Sequence, residues 1–322
     1  MFKKLNTRTL GIAFIVLLVI VVLLTVSDRK KGERTFKSVL VEFKEDEISS
    51  IEIVNRNDLE NKLVFKKSTD ENWRIKKGNE EYNADTKRVE NLITELLRIE
   101  PERVAATKKE GWKEFEVTDS LATRVVMFDD NKPVSDIYIG KFSYQNPTNP
   151  YERQGKMTSY VRLKGDNNVY AVNGFLRMTF SSDIVSYRNR MVINANEDDL
   201  TRLSFNYPAD SSFTLIKDGG KWMIDGVLAD SAKVEEYLGS ISNLSSSQFS
   251  GDSVLASSNA THNLQIESNN MVLIEVKALP ATSDDEYLLT STLNPGTYYS
   301  GSGADLFEKV YKGKGYFLNS KQ

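Results

Sequence analysis

A short pattern occurs twice in this chain and limits the fold more than any other feature. Residues 72–92 read NWRIKKGNEEYNADTKRVENL and residues 221–238 read KWMIDGVLADSAKVEEYL. Each has a Trp, an Ile two positions on, turn-forming residues, Ala-Asp, and then a Val that opens an apolar stripe of helical period. At one fixed offset, Asp85, Val89, Leu92, Ile93, Leu96 and Ile99 fall on Asp230, Val234, Tyr237, Leu238, Ile241 and Leu244. Both aspartates stand where a helix N-cap belongs, because a short carboxylate can accept from first-turn amides. Pro101 follows the first stripe and stops that helix.

The strands around the repeat also correspond. IEIV (51–54) matches LSFNY (203–207), and LVFKK (63–67) matches SFTLIK (212–217). After the first helix, TRVVMFDD (123–130) with VSDIYIG (134–140), and SYVRL (159–163) with VYAV (169–172), read as two hairpins. HNLQIE, MVLIEVKA, EYLLTS and TYYS occupy the matching places later in the chain. The pattern predicts an α+β fold of two duplicated units, each a mainly antiparallel sheet with one packed helix. The expected units are 43–192 and 193–322. Trp73 and Trp222 could stack on sugars, but equivalent placement in a repeat marks them as core.

Residues 10–26, LGIAFIVLLVIVVLLTV, carry no charge. As a helix this run would rise about 26 Å, enough to cross a hydrocarbon layer with its flanks. It is longer than a signal-peptide core, and Thr25-Val26-Ser27 matches a cleavage site poorly, so an uncleaved N-terminal transmembrane helix over 10–27 is expected. Residues 1–9 would then be a cytoplasmic tail and 28–42 a linker. Basic residues flank the span on both sides, so the positive-inside rule leaves its orientation open.

Charge narrows the partners. The first 37 residues hold eight Lys/Arg and two Asp/Glu, and against totals of 42 and 45 the remainder carries −9. An acidic body lacks the basic footprint that nucleic acid requires. There is no cysteine, which excludes disulfides, thiolate nucleophiles and zinc–thiolate sites.

No chemistry-bearing motif emerges. His262 is the sole histidine, and Gly301-Ser302-Gly303 is a small-residue turn without the nucleophile-elbow pattern. Glu114 with Glu116, Asp129 with Asp130, Glu197 to Asp199 and Asp284 to Glu286 could serve a glycosidase or bind calcium. None has EF-hand spacing, and all sit at predicted turns or linkers where solvated charge is ordinary. No phosphate loop or dinucleotide fingerprint is present. The reading is therefore a non-enzyme with no cofactor and no metal. Two segments fall outside the repeat: KFSYQNPTNPYERQGKM (141–157) and a Ser/Gly/Asn-rich connection at 239–261, expected to be mobile. Within the first, Tyr144, Tyr151 and Arg153 are candidates for contact with a partner.

The order W-x-I, Ala-Asp, the Val-Leu-Leu helix, Ile139-Gly140, YVR (160–162), VYAV (169–172) and YRNRMV (187–192), behind an apolar N-terminal run, resembles the DUF4340 family of bacterial envelope proteins. The resemblance covers about 48–192 well and the second copy in outline. The 141–157 insertion departs from it, as does NWRIKKGNEEY, where the family often has a proline after W-x-I. The resemblance implies a single-span protein of the cytoplasmic membrane, with a non-catalytic periplasmic body. It implies an accessory or scaffold subunit contacting the permease of an ABC-type transport system, of the gliding-motility-associated kind found in Bacteroidetes. Membrane lipid and an ABC permease are then the expected partners. The alternatives are an envelope module binding glycan or peptidoglycan, and a carboxylate-dependent hydrolase.

Overall fold

A computed structural model describes residues 16–17, 37, 39–55, 58–69, 71–147, 155–250, 259–281 and 287–318. The strands are β1 (Ser50–Asn55), β2 (Asp58–Lys67), β3 (Trp73–Lys77), β4 (Glu80–Asn83), β5 (Pro101–Ala106), β6 (Thr123–Asp129), β7 (Lys132–Gln145), β8 (Lys156–Leu163), β9 (Val169–Asn173) and β10 (Met191–Asn194). They continue as β11 (Arg202–Asn206), β12 (Phe213–Asp218), β13 (Lys221–Ile224), β14 (Val227–Leu228), β15 (Asn243–Ser245), β16 (His262–Ser268), β17 (Met271–Pro280), β18 (Tyr287–Ser291) and β19 (Tyr299–Ser300). The helices are α1 (Thr86–Leu97), α2 (Leu176–Thr179), α3 (Ser231–Ile241) and α4 (Leu306–Val310).

This corrects the expected class. Antiparallel strand dominates, and the four helices among the described residues run to 12, 4, 11 and 5 residues. None of them is long and apolar enough to cross a membrane, a task that takes about 20 residues. The α+β fold headed by a transmembrane helix is therefore replaced by a sheet-dominated one, built on the period-two alternation of the strands. The 10–27 segment that suggested a membrane helix lies outside the described residues, apart from Val16 and Leu17.

Strand order repeats. One sheet reads β4-β3-β2-β1-β6-β7-β8-β9-β5, and another reads β14-β13-β12-β11-β16-β17-β18-β19. The same path is traced twice, except that β5 joins the first sheet while its counterpart β15 pairs with β10. Helices α1 and α3 occupy corresponding places in the chain. Asp85 accepts from the Arg88 amide at 3.2 Å, and Asp230 accepts from the Ala232 and Lys233 amides at 3.0 and 3.3 Å. The stripes Val89, Leu92, Ile93, Leu96 and Val234, Tyr237, Leu238, Ile241 are buried. Trp73 and Trp222 are buried as well.

Contacts divide the chain into two compact units that are not contiguous in sequence. One comprises the described residues of Met1–Glu60 and Leu92–Ser181, the other Asn61–Asn91 with Ser182–Gln322. In the first unit Val117, Ala122, Tyr138, Tyr160, Val169 and Ala171 form a core cluster. Arg162 crosses it with its guanidinium carbon 3.8 Å from the Trp112 ring centre and 3.9 Å from that of Tyr138. Its side chain is 4% exposed, and it donates to the Val117 carbonyl at 3.0 Å and to Asp119 at 3.3 Å. A buried cation is tolerable here because ring faces and oxygens replace its water. Gly140 belongs to the same design. A Cβ there would collide with the Phe115 carbonyl and the Val117 side chain, so the 115–117 segment can lie against β7 only if that residue lacks one.

The second unit has an aliphatic and aromatic core, in which Phe205, Phe213, Tyr237 and Phe317 pack ring to ring. The Tyr237 hydroxyl, fully buried, donates to the Val310 carbonyl at 2.6 Å and fastens α3 to α4.

Candidate contact surfaces

The residues marked by sequence order turn out to hold the fold together. Tyr187, Arg188, Asn189, Arg190 and Met191 run through the second unit as a stitch. The Tyr187 carbonyl accepts from the Asp85 amide at 2.8 Å, and its ring meets Phe65 edge-on at 5.1 Å. The Arg188 guanidinium lies 3.5 Å from the Tyr82 ring centre and 3.7 Å from that of Phe249. The Asn189 amide donates to the Asn83 carbonyl, while Asn294 donates to the Asn189 carbonyl and to the Tyr299 hydroxyl at 2.8 and 2.7 Å. Asn83 in turn donates to the Asn294 side-chain oxygen at 2.9 Å. Asn294 is wholly buried with both ends of its amide used, and burial pushes the Tyr299 phenol up to about 12.

Beside this stitch lies a groove of about 530 Å³. Its lining includes the amides of Asn72, Asn83, Asn189 and Asn194, the Arg74 and Lys87 cations, and an apolar floor of Met191, Leu293 and Pro295. Arg74 is already held by Glu81 at 2.5 Å and by Asn83 at 3.1 Å. Among the described lining residues Asp85 is the one acidic side chain, and it serves as the α1 cap.

The acidic candidates are separated by the fold. Glu116 pairs with Arg177 at 2.8 Å, Glu197 accepts from Ser242 at 2.9 Å, and Asp129 faces Lys132 across a hairpin turn. Asp284 to Glu286 lie outside the described residues. Among the described residues no three of His, Cys, Asp and Glu gather in a way that could hold a metal ion.

His262 opens β16 inside an aromatic box. The ring centres of Tyr207, Tyr287 and Phe307 lie 5.1 Å from its own and that of Tyr311 lies 5.4 Å away. Burial holds its pKa below the ordinary histidine value. The folded protein thus favours neutral His262, and this contribution to stability is full above the unfolded pKa of about 6.5 and lost as pH falls through the lower folded one. Comparing melting temperatures of the parent and His262→Phe between pH 7.5 and pH 5 checks the sign. The parent should lose more than the variant on acidification, and parallel profiles would refute the effect.

The loop singled out for partner contact is partly strand. β7 reaches Gln145 and β8 begins at Lys156, with Phe142 facing Ser159 and Tyr144 facing Met157. Tyr151 and Arg153 lie outside the described residues. In the 239–261 connection, 239–241 complete α3 and 243–245 form β15, while 251–258 lie outside the described residues. Phe142 and Tyr144, two apart on one strand, share a face, and Met157 joins them from across the pair. All three are exposed, at 45%, 55% and 41%, as is Met178 on the neighbouring α2 at 70%. Phe142 also packs against Phe175 at a tilt of 47° with ring centres 4.1 Å apart. On the opposite face Thr158 is buried. Phe142, Met157 and Met178 carry no partner-contact signal in the sequence. What unites them is pairing register and exposure.

Neither a curated protein nor a solved structure matches the chain. The sequence profile of DUF4340, a domain of unknown function, matches residues 73–265. That range opens at Trp73, contains the α1 and α3 stripes and the YRNRMV stitch, and closes within β16. The chain belongs to the DUF4340 family.

Proposed function

We propose that this protein is a non-catalytic accessory subunit of an ABC-type transport system, working by protein contact with the permease on the outer side of the cytoplasmic membrane. The observation that carries this reading is the apolar face at the end of the β7–β8 hairpin, where Phe142, Tyr144 and Met157 stand together, exposed among the described residues. Aromatic and Met side chains are the types enriched at protein interfaces, and an exposed cluster of them on a rigid strand pair costs free energy unless a partner covers it. The gliding-motility-associated kind of transporter is the setting that family resemblance suggests. Extraction in mild detergent from native membranes tests the proposal. A permease and its ATPase should co-purify with the full chain, and recovery as a lone monomer would contradict it.

A second reading is favoured by the amide-lined groove of the second unit. Asn194 and Lys87, beside the apolar Met191, Leu293 and Pro295, suit a glycan or peptidoglycan strand, whose hydroxyls both donate and accept. Sedimentation with isolated cell wall, lost in Asn194→Ala with Lys87→Ala, would select this reading. Retention unchanged by those substitutions would remove it.

A further inference from the structure

The β7–β8 hairpin offers an open backbone edge as well as an apolar face. The last pair between β6 and β7 is Thr123 with Ile139, so the outer part of β7, Phe142–Gln145, runs on beyond β6. Facing residues of an antiparallel pair turn their backbone groups both toward or both away from each other. Met157 gives its carbonyl to the Gly174 amide at 3.0 Å, on the side away from β7. Its facing residue Tyr144 therefore turns its amide and carbonyl away from β8, and Phe142, two residues back, does the same. Among the described residues no backbone hydrogen bond reaches either residue on that side. Lys141, just before them, is already satisfied by the Phe115 carbonyl at 3.0 Å.

We propose that this edge receives an extended, apolar strand of a partner polypeptide, which adds to β7 through the backbone of Phe142 and Tyr144. This rests on the contact reading above and specifies its mode. Two outward amide–carbonyl sets supply the ladder, and the flanking face of Phe142, Tyr144 and Met157 supplies apolar contact for alternate side chains of the incoming strand. Lys156 is taken by Glu102 at 2.8 Å and Arg177 by Glu116 at 2.8 Å, while the Lys141 ammonium lies 5.1 Å from the Phe115 ring centre. Natural edges are commonly blunted by charge or Pro, and Phe142–Gln145 carries neither. Tyr144 lies over Gly155, where a Cβ would meet the Tyr144 ring at 2.5 Å, so this side chain leans toward β8 and away from the open edge.

Hydrogen–deuterium exchange on the full chain tests the mode. The probe is a capped octapeptide of alternating valine and threonine, and the control has proline at its centre. With the probe, the Phe142 and Tyr144 amides should exchange at least about tenfold more slowly, with no change for the control, and Tyr144→Pro should abolish probe binding while Tyr144→Phe keeps it. Equal slowing by both peptides, no slowing, or amides already slow in the free chain because one of its own segments fills the edge would each overturn the proposal. Unprotected amides alongside a permease that still co-purifies would sink the strand mode alone. Protected amides without co-purification would sink the transporter reading alone.

Discussion

Leu238→Asp is expected to unfold the second unit at 25 °C. Leu238 sits on the buried stripe of α3, 5% exposed, within the cluster built on Phe205, Leu215, Ile224 and Tyr237. The substitution removes an aliphatic side chain from a close-packed site and puts a carboxylate there. The lost packing is worth about 2–5 kcal/mol, and an unpaired buried charge adds to it. A domain's whole stability is about 5–15 kcal/mol, so the sum consumes most or all of it. Circular dichroism melting is the check, with Leu238→Met as the volume-matched control. A cooperative transition within about 3 °C of the parent would show that the α3 face is misassigned.

Asn294→Leu should cost about 2–4 kcal/mol, a large effect for a change that hardly alters volume. Three hydrogen bonds converge on that side chain, from Asn83 and to the Asn189 carbonyl and the Tyr299 hydroxyl. A leucine leaves these buried groups short of partners. Tyr299→Phe, which keeps the bonds to Asn83 and Asn189, should cost less than half as much. Chemical denaturation with both variants separates the two, and equal losses would mean that the amide is not the hub of the stitch.

Local pattern made much of this molecule readable and left its long-range chemistry hidden. The caps at Asp85 and Asp230 and the buried Trp73 and Trp222 follow from short spacing rules, and the structure places them as such. The strands read as mainly antiparallel sheet, while the apolar run and the two helical stripes suggest a larger helical share than the sheet-dominated fold carries. Burial of Arg162 was invisible, since a cation in a strand reads as solvent-facing until Trp112 and Tyr138 are known to enclose it. The grouping of 61–91 with 182–322 depends on meetings such as Phe65 with Tyr187 and Asn83 with Asn294, over a hundred residues apart. Tyr144 could be singled out as an exposed aromatic. Its alliance with Phe142 and Met157 needed the register of β7 against β8.

The contact surface is tested most directly by placing a photo-crosslinking amino acid at position 144 of the full chain in native membranes, with a second copy of the experiment at the exposed position 271 of the other unit. The account predicts that light joins position 144 to a single permease polypeptide, that Phe142→Ser reduces the yield about tenfold, and that position 271 gives no such product. Equal products from both positions, or a yield indifferent to Phe142→Ser, would contradict it.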